Sequence, residues 1–255
     1  MENQIKTITG PNWPGVHYFS TTVAGGVSQG DWAGLNLGEH CGDDPTHVRQ
    51  NRQRLNQLLP SAPHWLQQVH GTQVYQALKP ASQTRDWTQA PVADAAWTIA
   101  SNTVVGVLTA DCLPVVISDA KAQIVGVAHA GWKGLADGVL EALFFRLQKN
   151  KPSTTQWRAW IGPAISQPHF EVGQEVFDAF VRKDEALATY FISNDKPNKY
   201  LADLAGLAAY ELCRVAQNKI EVAQSHACTF AEDKNYYSYR RQARTGRIVT
   251  VAWLG

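Results

Sequence analysis

Apolar residues run almost without interruption through 103–119 (TVVGVLTADCLPVVISD) and again through 123–129 (QIVGVAH), and many of them are β-branched. Strands covered on both faces have this composition, because neither side of the pleat is left to water. Both stretches are expected to be core strands. From Gly134 the spacing changes, and Leu135, Val139, Leu140, Leu143, Phe144 and Leu147 fall on one stripe of a helix, with Asp137 early and Lys149 late as the helix dipole favours. Asp44 followed by Pro45 predicts another helix start, since aspartate caps free amides and proline costs nothing at the first helical position. That helix is expected to bury Val48, Leu55, Leu58 and Leu59 and to leave Arg49, Arg52 and Arg54 mostly solvated. Further helical patterns lie at about 172–191 and 202–217, and 248–254 reads as a closing strand. Mixed α/β is the predicted class.

At 255 residues, with 44% apolar residues and a formal charge of +1, the chain is long enough for a substantial core. No internal repeat appears, and the Pro/Ser/Thr stretches at 60–64 and 151–155 are too short for interdomain linkers. One domain over residues 1–255 is expected. The even charge distribution argues against a nucleic-acid partner. Residues 1–10 lack the basic start and apolar run of a signal peptide, and no apolar stretch reaches the ~20 residues that cross a bilayer. A cytoplasmic location without membrane contact is the expectation. Cys41, Cys112, Cys213 and Cys228 form no CxxC pair, which suits reduced thiols better than a disulfide frame. Cys213, beside Leu212 on a predicted helix, reads as packing.

Where buried strands stop, side chains can be presented to a cleft. His129 stands at such a point, before the turn Ala130-Gly131-Trp132-Lys133-Gly134. Cys112 stands at another, after Asp111 and just before Pro114, whose missing donor predicts a bulge or an edge. His70 precedes Gly71, which leaves room for close backbone approach. The gaps of 42 and 17 residues between these three match no local metal motif, so buried packing residues and metal ligands both remain open from spacing alone. Lys133 and the amides opening the helix offer an anion site, or simply a tight turn with a solvated lysine. The segment 235–241 (NYYSYRR) offers aromatic faces and guanidinium forks to a flat heterocycle or oxyanion, or forms an ordinary strand with surface arginines. Asn36 is the one obvious polar contact of the Leu35-Asn36-Leu37-Gly38 turn.

At these positions the sequence resembles the YfiH-like family, also called the laccase-domain or multicopper polyphenol oxidase family, whose members include purine nucleoside phosphorylases. The matching segments are GGVS (25–28), LNLGEHCGDDP (35–45), the pair Asn51-Arg52, QVHGTQV (68–74), TADCLPV (109–115), HAGWKG (129–134), IGPAIS (161–166), FEVG (170–173), CTF (228–230), YSYRR (237–241) and TGR (245–247). They occur in family order and span nearly the whole chain. The resemblance implies a layered α/β/β/α arrangement with mixed sheets, and one zinc ion held by His70, Cys112 and His129. Two positions depart from the family pattern: Val23 stands where an arginine is usual, and Lys133 replaces the arginine of HAGWRG.

Three protein ligands leave a tetrahedral zinc one open position for water or substrate, the arrangement of catalytic sites. The resemblance implies phosphorolysis of adenosine, inosine or methylthioadenosine to free base and pentose 1-phosphate, with adenosine deamination as a second reaction. Cys112, His129 and Asp111 are the expected catalytic residues, and Asn36, Lys133 and Arg240 the expected substrate contacts. Purine nucleoside and phosphate are the expected partners of a monomer. Copper is expected only as an adventitious substitute giving weak phenol oxidation, because a laccase needs closely paired histidines, and the eight here contain no His-x-His. The competing classes are a metal-free hydrolase using Cys112 and His129, linked in some relatives to peptidoglycan precursor editing, and a nucleoside-binding module without catalysis.

Overall fold

The computed structural model describes residues 4–81, 87–151 and 153–255. Residues 1–3 of the amino-terminal segment and Pro152 in the 151–155 stretch lie outside them. In chain order the elements are β1 (Thr7–Ile8), β2 (Val16–Thr21), α1 (Pro45–Asn56), β3 (Val74–Gln76), β4 (Ala95–Thr98), β5 (Val105–Thr109), β6 (Leu113–Asp119), β7 (Val125–Ala130), α2 (Trp132–Asp137), α3 (Val139–Asn150), β8 (Trp157–Ile161), β9 (Glu171–Gly173), α4 (Gln174–Val181), β10 (Phe191–Ser193), β11 (Lys199–Ala202), α5 (Leu204–Val215), β12 (Ile220–Gln224) and β13 (Ile248–Leu254).

Alternation of side chains across the pleat explains how these strands stack into layers. One sheet runs β12-β8-β6-β7-β4-β3 and a second runs β1-β2-β13-β5. On β5, Val105 and Val107 meet Val116, Val125, Val127 and Trp160 of the larger sheet, whereas Leu108 joins Val249, Val251, Leu35 and Leu55 of α1 on the other side. On the larger sheet, Leu113, Val115, Ile117, Ala128 and Ala159 turn the opposite way, toward Leu140, Leu143, Leu147, Leu207 and Leu212 of the helices. The layers are therefore helix, sheet, sheet, helix, as the resemblance implies. β9, β10 and β11 form a small antiparallel sheet beside α4.

Several expectations change. The apolar run 103–119 is not one strand: it breaks at Asp111, whose φ of 83° turns the chain, so β5 and β6 belong to different sheets. Pro114 lies on a central strand and not at an edge: it stands opposite His129 of β7, and its carbonyl accepts from Gly162 N at 2.9 Å just past the Val115–Ile161 pair with β8. The helical stripe opens at Trp132 and is split by Gly138 at φ 96°, a left-handed residue that ends α2 and starts α3. The 172–191 pattern resolves into β9, α4 and a 3-10 turn at Glu185–Tyr190, and 202–217 into α5, capped by Asp203. Segment 235–241 is turns and not a strand. α1 ends before Leu58, which is exposed. Arg52 is not solvated: it is buried, donates to Leu37 O at 3.0 Å and Glu39 Oε1 at 2.7 Å, and lies over the Trp65 ring. Its guanidinium forks satisfy the bend that α1 covers.

Leu143 is fully buried between α3 and the large sheet, whereas its near neighbour Phe145 is 60% exposed. Leu143→Ala is expected to lower the unfolding free energy by about 2–5 kcal/mol, against less than about 0.5 kcal/mol for Phe145→Ala, as read from urea midpoints.

Candidate metal centre

Three chain breaks converge at one end of the large sheet. Asp111 turns the chain between β5 and β6 and leaves Cys112 at the corner; β7 delivers His129 opposite Pro114; and the loop after Leu66 presents His70 at φ 59°. Gln68 clamps that loop to the end of β5, donating to Leu108 O and accepting from Leu108 N, both at 2.8 Å. The ligand atoms of His70, Cys112 and His129 all lie within 4.8 Å of one another, about twice a metal-ligand bond length, so one ion can touch all three. His70 Nε2 is 3.8 Å from Cys112 Sγ, and the two imidazoles meet edge to face at 4.8 Å between centroids. No fourth His, Cys, Asp or Glu joins the group among the described residues.

Room for this approach comes from glycines on the facing turn rather than from Gly71. A Cβ on Gly131 would lie 2.8 Å from His70 Cδ2 and 3.0 Å from Cys112 Sγ, and one on Gly134 would press on Gly71 O at 3.1 Å.

The residue that organises the centre is Asp94, a lone acid in the apolar run Ala93-Asp94-Ala95-Ala96-Trp97 that sequence reasoning passed over. It is fully buried. Its carboxylate accepts from His129 Nδ1 at 2.9 Å and from the amides of Val69, His70 and Gly71 at 3.1, 2.9 and 2.7 Å. With Nδ1–H donating there, His129 keeps Nε2 as its free donor toward Cys112, the pattern that orients metal-bound histidines. Its signal in the sequence was an ionisable side chain where a strand should be wholly apolar.

Burial opposes charge on all these groups, and the local partners overrule it. The Asp94 carboxyl is held below the usual range by His129 and the Gly71 and Val69 amides. For Cys112 and His129, burial is outweighed by their mutual attraction and hydrogen bonding, which lowers the thiol and raises the imidazole. A thiolate and two imidazoles are the donor set of a borderline-soft ion such as zinc. The residues present fit a metal.

These three ligands line a cavity of about 570 Å³, walled also by Gln68, Leu108, Thr109, Ala110, Trp132, Ile165 and Phe170, and by His40, Tyr239, Arg240 and Arg247. That is ample for a small organic substrate. Asp111 and Arg240 reach the wall, whereas Asn36 and Lys133 do not. Asp111 is committed to structure: it accepts from Thr229 Oγ1 at 2.6 Å, Ser238 Oγ at 2.9 Å and the Arg240 amide at 2.7 Å. Asn36 is fully buried, accepting from the Gly38 and Arg247 amides and donating to Asp43. Lys133 is exposed, and Val23, the other departure from the family pattern, is also absent from the wall. His40 and Arg247 belong to the LNLGEHCGDDP and TGR segments, but nothing in their local spacing set them apart.

A family model described as multi-copper polyphenol oxidoreductase laccase matches residues 17–255. The chain is 42% identical over 250 residues to Escherichia coli (strain K12) purine nucleoside phosphorylase YfiH, covering 96% of this chain and 97% of that one. It is 40% identical over 250 residues to a Pseudomonas aeruginosa purine nucleoside phosphorylase, with the same coverage. Among solved structures, a Neisseria meningitidis protein matches with a TM-score of 0.87, 39% identity and 98% coverage of both chains. YlmD from Geobacillus stearothermophilus matches with a TM-score of 0.82 and 28% identity, covering 96% of this chain and 94% of that one.

Asp94→Asn is expected to weaken metal binding about 10- to 100-fold while all three ligands remain. Gly131→Ala, which drives a methyl group between His70 and Cys112, should do the same; competition against a chromophoric chelator measures both. Unchanged affinity in both variants would show that neither the carboxylate nor the glycine shapes the centre.

Proposed function

Because this chain belongs to the multi-copper polyphenol oxidoreductase laccase family, we propose that it is a zinc-dependent purine nucleoside phosphorylase acting on adenosine, inosine or methylthioadenosine. The observation that carries the reading is the convergence of a His/Cys/His group, oriented by Asp94, on a cavity with aromatic and cationic walls. Relatives named purine nucleoside phosphorylase, at 40% and 42% identity over nearly the full length, support it. A laccase needs several coppers in communication. Among the described residues only one such ligand group is found.

His70, Cys112 and His129 would hold the zinc, which when bound would supply Lewis-acid chemistry to the cavity. Around it, Phe170, Trp132 and Tyr239 offer faces to a flat purine. Arg240, whose amide is pinned by Asp111 and whose guanidinium lies 5.4 Å from the Phe170 ring, takes the phosphate in preference to the exposed Lys133. A phosphate oxygen bonds to the anomeric carbon, the glycosidic C–N bond breaks, and its electrons leave with the purine, which gains a proton. Adenosine deamination at the same centre is the second activity, favoured by the absence of a fourth protein ligand among the described residues.

A metal-free cysteine hydrolase would use the Cys112–His129 pair alone. Convergence of His70 on the same point, 3.8 Å from Sγ, is what a metal needs and a two-residue nucleophile does not.

Freshly purified protein should contain about one zinc per chain and release free base from adenosine or inosine only when phosphate is supplied, with products resolved chromatographically. Chelation should abolish turnover and zinc restore it. His129→Ala should lose metal and turnover together. Turnover indifferent to chelator, or surviving in a metal-free His129→Ala protein, would refute the proposal in favour of the hydrolase; nucleoside binding without base release would favour a binding module.

A further inference from the structure

Two guanidiniums and one imidazole of the cavity wall have binding capacity that the chain itself does not use. Arg247 is fixed along its length: its amide donates to Asn36 Oδ1 at 2.9 Å, its carbonyl accepts from Leu37 N at 3.1 Å, and its stem packs so closely on Gly38 that a Cβ there would lie 2.9 Å from Cγ. Its Nη1 donates to Thr245 O at 3.1 Å and Gly246 O at 2.9 Å, and the guanidinium carbon stands 6.0 Å from the Tyr239 ring. Arg240 is built alike, with its amide on Asp111 Oδ2 and its Nη1 on Glu171 O at 2.8 Å. In each, Nη1 is spent on backbone carbonyls, while Nε and Nη2 make no hydrogen bond among the described residues. No carboxylate pairs with either one among those residues.

His40 completes the set. Its ring stacks on Trp87 at 5.3 Å between centroids and has no hydrogen-bond partner among the described residues. Burial, followed by the charges of Arg247, Arg52 and His129, pushes the imidazole down to about 4, so it is a neutral donor or acceptor. Two guanidiniums face this cavity against a single lining carboxylate among the described residues, Asp111, which is turned onto Thr229, Ser238 and a backbone amide and pairs with neither guanidinium. Such a surplus of positive charge attracts an anion, and a fixed guanidinium edge matches a tetrahedral oxyanion by two parallel hydrogen bonds.

We infer that Arg247 and Arg240 form the seat of a tetrahedral oxyanion, with the His40 ring as its further hydrogen-bond partner, on the cavity shared with the His70, Cys112 and His129 centre. The inference rests on the phosphorylase reading only for naming that anion as inorganic phosphate. It assigns to Arg247 and His40 a role that Lys133, outside the cavity wall, is not placed to fill.

The test is binding rather than turnover: inorganic phosphate titrated into the metal-loaded full chain without nucleoside, followed by calorimetry or phosphorus NMR. Arg247→Gln is expected to weaken phosphate binding about 10- to 100-fold, the loss of a charged hydrogen-bonding partner. Arg247→Lys should recover part of that loss by keeping the charge without the fork, His40→Phe should show a smaller loss, and Lys133→Gln should leave affinity unchanged. Metal content measured in each variant separates a local loss from a disturbed fold. Absence of phosphate binding by the parent protein, equal affinity in Arg247→Gln with metal retained, or a loss confined to Lys133→Gln would each overturn the inference. Phosphate binding that depends on Arg247 in a protein that cleaves no nucleoside would sustain the subsite while refuting the phosphorylase reading.

Discussion

The buried carboxylate of Asp94 is the interaction on which the centre depends. One acidic side chain, taken entirely out of water, gathers three amides of the 69–71 turn and the Nδ1–H of His129. An unpaired charge in that position would be prohibitively costly, so the arrangement is stable only when all its donors arrive together. The same bonds that satisfy the acid bring His70 to the end of β7 and fix which nitrogen of His129 is free. The closeness of Gly131 and Gly134 to the turn they face follows from the same requirement, since side chains there would hold the ligands apart.

The corner at Asp111 plays the complementary part. It carries the chain from one sheet of the sandwich to the other, presents Cys112 at the bend, and uses its carboxylate to hold Thr229, Ser238 and the amide of Arg240. Asn36 does for Arg247 what Asp111 does for Arg240. Asp111, expected to be catalytic, and Asn36, expected to touch substrate, are thus buried polar groups whose hydrogen bonds hold the backbone of the two arginines on the cavity wall. Buried polar groups of this kind are satisfied internally, which is why they stay where the fold puts them.

Much of this was legible in the sequence, and the remainder was hidden for identifiable reasons. Continuous apolar runs disclosed the inner strands, and the closing strand at Ile248–Leu254 has the bounds its pattern implied. The Asp44-Pro45 start of α1 was readable because capping is a local property, with Asp44 Oδ1 accepting from Thr46 N at 2.7 Å. The break at Asp111 was not, because periodicity does not distinguish one long strand from two joined by a single left-handed residue. Arg52 was misplaced for a related reason: helical spacing gives a side chain's direction but not what lies across from it, and here Glu39 and Trp65 close over the guanidinium. The three candidate ligands could be picked out singly at strand ends and turns, but only the family resemblance joined them into one ligand set, since their separation along the chain is set by tertiary structure alone.

His70, Cys112 and His129 are expected to hold one ion through one thiolate and two imidazoles. X-ray absorption at the metal edge of the purified protein reads this directly. The expected result is zinc with a single sulfur at about 2.3 Å and nitrogen or oxygen neighbours at about 2.0–2.1 Å. A shell without sulfur, or one containing two, would contradict it.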